Sequence, residues 1–173
     1  MYDCLVFYFM PQHEASDGSL TKEMEQLAEI LAKHTEASRD SGKGIVVLHH
    51  AILAYPNWSL WTEVTGLANR ADFKYFDDQR VRYEIADAAN PITTDIESWE
   101  MLDETYTLSE PVDRSNSVVT TKYDPSMKTI AWTRTFRDAR VFCFECGHDA
   151  SSWMNHNFRE VLRRGILWTS GVI

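Results

Sequence analysis

The chain has 173 residues, of which 44% are hydrophobic and 25% are charged, enough to bury a substantial core without disulfide or metal crosslinks. Its 17 Lys and Arg residues against 26 Asp and Glu residues give a formal net charge of -9, which disfavours nucleic-acid and anionic-membrane partners. No apolar stretch approaches the roughly 18 residues of a membrane span, and no signal peptide is evident, so the sequence predicts a soluble globular protein.

The first third of the chain alternates strand and helix patterns. Aromatic and branched residues at 2–9 predict a buried strand. Apolar residues at helical spacing predict an amphipathic helix over about 20–33. The segment 45–48 is wholly apolar, which predicts a central strand covered on both faces. This strand delivers His49 and His50 at its carboxyl end.

The remainder predicts a short helix, several strands and a closing helix. Asn57 and Gly66 are the expected N-cap and stop of the short helix. Asn157 and Glu160 form the expected capping box of a closing helix that ends near Trp168. Because no internal repeat or linker is visible, we expect a single α/β domain over residues 1–173. Strand patterns lie at 81–85, 118–119, 129–134 and 140–145, of which the last two predict a hairpin.

Two histidine-containing segments directly follow predicted strands. They are Leu-His-His-Ala at 48–51 and Cys-Gly-His-Asp at 146–149. Ligands of open α/β sheets bind at the carboxyl ends of the strands, so His50 and His148 would face a common pocket if the two strands are neighbours. Asp149 would then orient an imidazole or accept a sugar hydroxyl. The alternative is that each histidine only hydrogen-bonds a loop backbone.

An acidic and aromatic segment, Asp-Glu-Thr-Tyr at 103–106, lies in the middle of the chain. Glu104 is a candidate general base or ligand, and Tyr106 is a candidate stacking platform for a sugar, whereas a solvated acidic turn is the alternative. Most of the six tryptophans are expected in the core. Trp153 is assigned to the pocket because it closely follows His148.

The three cysteines form no disulfide framework and suit a reducing compartment, so we expect a cytoplasmic protein. Cys143 and Cys146 have CxxC spacing, but in a strand such positions point to opposite faces, and no second pair completes a zinc site. We therefore interpret both as structural. The GxSxG, Walker, GxGxxG and HExxH motifs are absent, so nucleotide-dependent chemistry has no local support.

A series of motifs covers nearly the whole chain in order, at residues 42–51, 55–58, 90–93, 103–106, 124–128, 131–134, 147–149 and 164–168. Together these motifs resemble the trehalose-utilisation, or ThuA-like, family. The resemblance implies a flavodoxin-like three-layer α/β sandwich related to class I glutamine amidotransferases. In those enzymes a nucleophilic cysteine follows a central strand, but residues 47–51 contain histidines and no thiol, so glutaminase activity is not expected.

Family members usually begin with a further strand and helix before the segment that matches residues 2–10. We therefore expect a sheet that lacks this first βα unit, with two alternatives left open: Met1 is a misassigned or truncated start, or another chain covers the gap. An exposed sheet edge would favour association with another chain, such as a second copy in a homo-oligomer.

The resemblance implies a function in catabolism of trehalose or a related disaccharide, at the level of an oxidised sugar. The expected partner is a small sugar, with no nucleic acid or membrane partner. His and carboxylate ligands for a divalent metal are present, although no metal is predicted by name. A non-catalytic sugar-binding or assembly module and a metal-dependent hydrolase are the alternatives. The expected catalytic residues are His50, His148 and Glu104, and the expected substrate-binding residues are His49, Asp149, Tyr106 and Trp153.

Overall fold

The computed structural model describes residues 2–10, 15–36, 43–112 and 114–173. The strands in these ranges are β1 (Cys4–Phe7), β2 (Gly44–Leu48), β3 (Tyr75–Ile85), β4 (Trp99–Tyr106), β5 (Asn116–Thr121), β6 (Thr129–Phe136) and β7 (Ala139–Phe144). The helices in the same ranges are α1 (Lys22–Glu36), α2 (Ser59–Thr65), α3 (Ala150–Met154) and α4 (His156–Thr169), and a short 3-10 helix spans His49–Leu53.

The strands form one mixed sheet in the order β1-β2-β7-β6-β5-β3-β4. β1, β2 and β7 are mutually parallel, and every other neighbouring pair is antiparallel. The predicted hairpin is confirmed, since Phe136 of β6 pairs with Ala139 of β7. Leu48 of β2 lies opposite Phe144 of β7. The two histidine segments therefore start side by side, at the same edge of the sheet.

Helices cover both faces of the central strands. Ile45 and Val47 of β2 belong to one core, which also contains residues of α1 and α2. Val46 and Leu48 belong to a second core, which contains residues of α4. Successive residues of a strand point to opposite faces, so an all-apolar strand is needed between two cores. The prediction of a strand covered on both faces is confirmed.

The same alternation explains the two cysteines with CxxC spacing. Cys143 lies in the first core and Cys146 in the second, and both are fully buried. All three cysteines of the chain are free. The structural interpretation of the pair is thus consistent with its placement.

The sheet is curled, so that the edge strand β4 returns to the end of β7, although three strands separate them in the sheet. The Tyr106 N–H donates to the carboxyl of Glu145, directly after β7, over 2.8 Å. The carboxylate of Asp103 accepts hydrogen bonds from the N–H groups of Gly147 and His148, over 3.0 and 3.1 Å. These contacts place the end of β4 beside the loop that follows β7.

The predicted capping box of the last helix is wrong. Asn155 is the N-cap of α4, and its side chain accepts a hydrogen bond from the N–H of Phe158 over 3.0 Å. The chain has to bend at this residue because α3 ends at Met154, so Asn157 lies inside the helix. Glu160 instead pairs with the following arginines, such as Arg163 at 2.7 Å.

The start of α2 also differs from its prediction. Trp58 occupies the N-cap position, with no side-chain hydrogen bond to the helix, in place of Asn57. Gly66 ends the helix in the left-handed region with a φ of 79°, as its sequence position predicts. Among the helices in the described ranges, none has the length and apolar character of a membrane span.

We predict that Gly165→Ala destabilises the fold. A Cβ at Gly165 of α4 would lie 2.2 Å from the ring of Phe142 in β7. Alanine in a helix interior normally stabilises by up to about 1 kcal/mol, but here overpacking should lower the free energy of unfolding by about 1–3 kcal/mol. Urea unfolding followed by circular dichroism measures this change.

The matched control is Arg159→Ala, at an exposed position of the same helix. We expect it to change the free energy of unfolding by less than about 0.5 kcal/mol. Equal stability of Gly165→Ala and the wild-type protein would contradict close packing of α4 on β7.

Candidate functional site

A pocket of about 750 Å³ opens where β1, β2 and β7 end. Its volume falls in the range of about 300–1,000 Å³ that is typical of small-molecule sites. Aromatic side chains make up much of its wall, and the polar groups His50, Glu104 and His148 lie together in one part of it. The lining residues are Tyr8, Phe9, Met10, His50, Leu53, Phe73, Tyr75, Asp77, Glu104, Tyr106 and His148.

One oxygen atom of Glu104, Oε2, lies at the centre of three imidazoles. It is 3.3 Å from His49 Nε2, 3.3 Å from His50 Nε2 and 3.2 Å from His148 Nδ1. Tyr106 donates its hydroxyl hydrogen to the same oxygen over 2.7 Å. The structure therefore brings together His50, His148 and Glu104, which the sequence analysis selected as catalytic candidates, and adds His49 behind them.

His49 is the innermost member of this cluster, and its side chain is fully buried. It directly follows β2 with a φ of 52°, a left-handed conformation that costs about 1–3 kcal/mol outside glycine and is frequent at functional sites. Its Nδ1 lies 2.7 Å from the backbone oxygen of Glu145. Because a carbonyl oxygen only accepts, we assign the proton to Nδ1, so Nε2 presents a lone pair to the cluster.

The charges of Glu104 and Tyr106 follow from their surroundings. Burial opposes ionisation of Glu104, but hydrogen bonds donated by the His50 imidazole and the Tyr106 hydroxyl outweigh it and hold the pKa of the carboxyl well below its ordinary value. Burial, with the neighbouring Glu104 carboxylate, raises the pKa of the Tyr106 hydroxyl far above its ordinary value. Glu104 is therefore a carboxylate that only accepts, and Tyr106 remains a donor.

Two further buried acids, Asp103 and Glu145, support the cluster without lining the pocket. Asp103 holds the loop of His148 through the two backbone hydrogen bonds described for the curled sheet. Glu145 orients His49 with its backbone oxygen and holds the Tyr106 N–H with its carboxyl. Sequence reasoning gave neither residue an individual role, because both depend on the contact between β4 and the end of β7.

Asp149 is not a member of the cluster around Glu104. Its side chain is the N-cap of α3 and accepts hydrogen bonds from the N–H groups of Ser151 and Ser152, over 2.8 and 3.4 Å. It does not line the pocket. The expectation that Asp149 orients an imidazole is therefore corrected: this short side chain is used to start a helix.

Trp153 lies beside the pocket without lining it. Its Nε1 donates to the backbone oxygen of Gly147 over 3.2 Å. Its ring packs edge-on against Tyr8, with 5.6 Å between the ring centroids. Tyr8 is the ring that faces the pocket, so a substrate-binding effect of Trp153 would act through Tyr8.

Sequence reasoning missed most of the pocket wall. Residues 8–10 directly follow β1, so the rule that located the histidines, applied to this strand, would have found them. Phe73, just before β3, and Tyr75 and Asp77 of β3 gave no such signal. The facing of the two β3 residues depends on an irregularity in the pairing of β3 with β4. The roles of all these residues in binding or catalysis stay predictions.

We predict that Glu145→Gln gains stability relative to the wild-type protein as pH rises from 4.5 to 7. Complete burial raises the pKa of Glu145 well above its ordinary value, despite the Tyr106 N–H. The stabilising contribution of the neutral acid is therefore fully present below the pKa of the unfolded chain and is lost as pH rises through the folded pKa. Each unit of displacement corresponds to about 1.4 kcal/mol.

Urea unfolding of both proteins at a series of pH values measures the difference. Glutamine keeps an oxygen for the Tyr106 N–H and cannot ionise, which makes the comparison specific to the charge. Glu63→Gln, at an exposed position of α2, is the control and should show a pH-independent difference. A constant difference for Glu145→Gln would argue against a neutral buried acid.

Comparisons with known proteins place the chain among relatives of low sequence identity. A sequence model of the ThuA family, described as trehalose utilisation, matches residues 2–169. A ThuA-like protein from Parabacteroides merdae is 17% identical, with a TM-score of 0.75 over 98% of this chain and 70% of that one. A cytoplasmic protein from Salmonella typhimurium is 10% identical, with a TM-score of 0.66 over 97% and 72%.

A more distant structure is described as a GMP synthase protein from Thermoplasma acidophilum. It is 8% identical, with a TM-score of 0.50 over 98% of this chain and 74% of that one. No curated protein gives a significant match. At these identities the structural likenesses establish a shared mixed α/β fold, and chemistry has to be argued from the pocket.

Proposed function

Because the chain belongs to the trehalose-utilisation (ThuA) family, we propose that it is an enzyme of disaccharide catabolism that acts on an oxidised sugar through histidine acid–base chemistry. One observation carries this proposal: three imidazoles converge on the Glu104 carboxylate at one place in an aromatic-walled pocket. A purely sugar-binding module has no need for such a cluster, whereas proton transfer to or from a carbonyl compound does.

The wall of the pocket suits a sugar. Aromatic rings present flat apolar faces on which the C–H groups of a pyranose pack, and tyrosine hydroxyls add hydrogen bonds. Tyr8 and Tyr75 are exposed and provide such faces, whereas the Tyr106 ring is fully buried, which corrects the expectation that it stacks on the sugar. Leu53 and Phe73 add apolar surface on the same wall. A ring held there would lie against the histidine cluster.

The four cluster residues differ in their access to the pocket. His50 and His148 line it, and the His148 side chain is 36% exposed. His49 is fully buried and Glu104 is 4% exposed. His50 and His148 are therefore the groups that we propose to exchange protons with the substrate. Glu104 would orient them and stabilise a positive charge on either ring.

The same donor atoms fit a divalent cation. Four pairs among them are 3.2–3.3 Å apart, close to the roughly 3.3 Å between ligand atoms of a tetrahedral site with bonds of about 2.0 Å. The assigned tautomer of His49, with Nδ1–H on a backbone oxygen, is also that of a metal-binding histidine. His49, His50, Glu104 and His148 would hold the ion. When bound, it would polarise a carbonyl or hydroxyl oxygen of the sugar, and this polarisation would take the place of proton exchange by the ring nitrogens of His50 and His148 that it occupies.

The proposal also covers the fold family and the cellular location. The two helical layers and the likeness to the Thermoplasma protein support a flavodoxin-like, single-domain fold related to class I glutamine amidotransferases. His49 stands directly after β2, where the family resemblance implies a nucleophilic cysteine in those enzymes, so glutamine hydrolysis is no part of the proposal. Free cysteines and the cytoplasmic Salmonella neighbour support a cytoplasmic location.

We predict that His148→Ala lowers turnover of a keto-disaccharide prepared from trehalose by about a hundredfold to ten-thousandfold, the usual contribution of a general acid or base. The thermal melt should be unchanged, because the ring is partly exposed. Steady-state kinetics of both proteins measure the loss. The control is His156→Ala, an exposed histidine at the start of α4, which should keep full activity. Absence of wild-type turnover with every keto-disaccharide tried would contradict the enzyme and favour a binding module.

We predict that the purified protein binds about one equivalent of a divalent cation, and that Glu104→Gln weakens this binding at least tenfold because an ionised ligand is replaced by a neutral one. Elemental analysis and titration with Zn²⁺ measure both. A chelator should lower the melting temperature of the wild-type protein, since an ion that binds only the folded state stabilises it. Glu100→Gln, exposed on the same strand, is the control. Stoichiometry well below one in the Zn²⁺ titration would contradict the cation site.

A further inference from the structure

The strand β3 carries one extra residue opposite Glu104. Phe76 pairs with Thr105, but the next pair along the two strands joins Gln79 to Asp103. Three steps along β3 therefore match two steps along β4, which defines a β-bulge at Asp77 and Asp78. Asp78 has a φ of 55°, a left-handed conformation that aspartate tolerates better than most residues.

This bulge decides which side chains of β3 face the pocket. Val81 and Tyr83 pair with Met101 and Trp99, and these residues pack together in the second core. In a regular strand Tyr75 and Asp77 would point the same way as Val81, because even separations share a face. One added residue reverses the facing of everything beyond it.

Because of the bulge, Tyr75 and Asp77 of β3 face the pocket, on the same face of the sheet as Glu104. Tyr75 pairs with Tyr106, and directly opposed residues share a face. Tyr75, Asp77, Glu104 and Tyr106 all line the pocket. A bulge next to an active site commonly re-aims side chains in this way.

The charges of the wall restrict what can bind beside Asp77. Two carboxylates, of Asp77 and Glu104, line the pocket, and within the described part of the chain no Lys or Arg does. Asp77 is exposed, so it keeps free acceptor capacity. A carboxylate accepts hydrogen bonds from two adjacent hydroxyl groups at once. A phosphate or a second carboxylate beside Asp77 would meet a like charge with no Lys or Arg of the wall to offset it, because the histidines of the cluster already face the Glu104 carboxylate.

We propose that Asp77 is a substrate-recognition residue, presented by the bulge, that binds adjacent hydroxyl groups and makes the pocket select uncharged sugars over phosphorylated ones. This inference rests on the proposed function, because it assigns the substrate class of the same pocket. Tyr75 beside it supplies the ring on which the sugar packs. The bulge thus serves specificity, whereas the histidine cluster serves the reaction.

Calorimetric titration with trehalose and with trehalose 6-phosphate tests the proposal on the wild-type protein, Asp77→Asn and Asp78→Asn. Asp78→Asn is a matched control, because it removes the same charge one residue away from a side chain that does not line the pocket and asparagine keeps the left-handed conformation. Turnover of the keto-disaccharide is measured separately on the same proteins.

We expect Asp77→Asn to raise the Kd for trehalose about tenfold or more, as loss of charge-assisted hydrogen bonds does. The preference for trehalose over its 6-phosphate should shrink, and Asp78→Asn should change neither value more than about twofold. Unchanged binding by Asp77→Asn, an equal loss in Asp78→Asn, or tighter wild-type binding of the phosphate overturns the inference. Asp77-dependent trehalose binding without turnover of the keto-disaccharide would contradict the proposed enzyme alone, so the two failures are distinguishable.

Discussion

A single carboxylate oxygen, Glu104 Oε2, is the point on which the arrangement of the site depends. Three imidazoles and a phenol hydroxyl surround it at 2.7–3.3 Å. An ionised carboxylate taken from water costs several kcal/mol unless its partners offset the lost hydration. The residues that approach Glu104 come from three separate parts of the chain, so the whole sheet has to fold before the charge is compensated.

Two buried glutamates a few ångströms from the same histidine have opposite protonation behaviour. Hydrogen bonds to Glu104 keep its pKa low, whereas burial, with the neighbouring carboxylates of Asp103 and Glu104, keeps the pKa of Glu145 high. One acid therefore supplies the negative charge of the site, and the other supplies a neutral structural contact between β4 and β7. Environments that push two carboxyl groups apart in this way are a common means of assigning different roles to the same residue type.

Local sequence patterns predicted the part of the site that depends on parallel neighbouring strands. The all-apolar segment 45–48 and the strand before residue 146 indicated where His49, His50 and His148 would stand, because the ends of such strands share one edge. The sequence identified Glu104 only as a candidate residue, because its contact with the histidines depends on the curl of the sheet over three intervening strands. Curl is set by many weak contacts and leaves no periodic signal in the chain.

Local sequence patterns could not predict three other features, for similar reasons. The facing of Asp77 follows from one extra residue in β3, and period-two alternation assumes that no such residue exists. Asp149 resembles a site residue in sequence because it adjoins His148, but the start of α3 uses its carboxylate. Asn155 and Asn157 are equally good caps by residue type, and only the end of α3 decides between them.

The ribbon of β3 and β4 is the pair at one edge of the sheet, and among the strands of the described ranges none pairs with the outer side of β4. Edge ribbons open locally at lower free energy than central strands. Each such opening would remove Glu104 and Asp77 from the pocket together. A ligand that binds only the closed pocket would therefore also stabilise the pairing of β3 with β4. Amide hydrogens of β3 and β4 should accordingly exchange more slowly when the pocket is filled, which makes this edge a built-in reporter of occupancy.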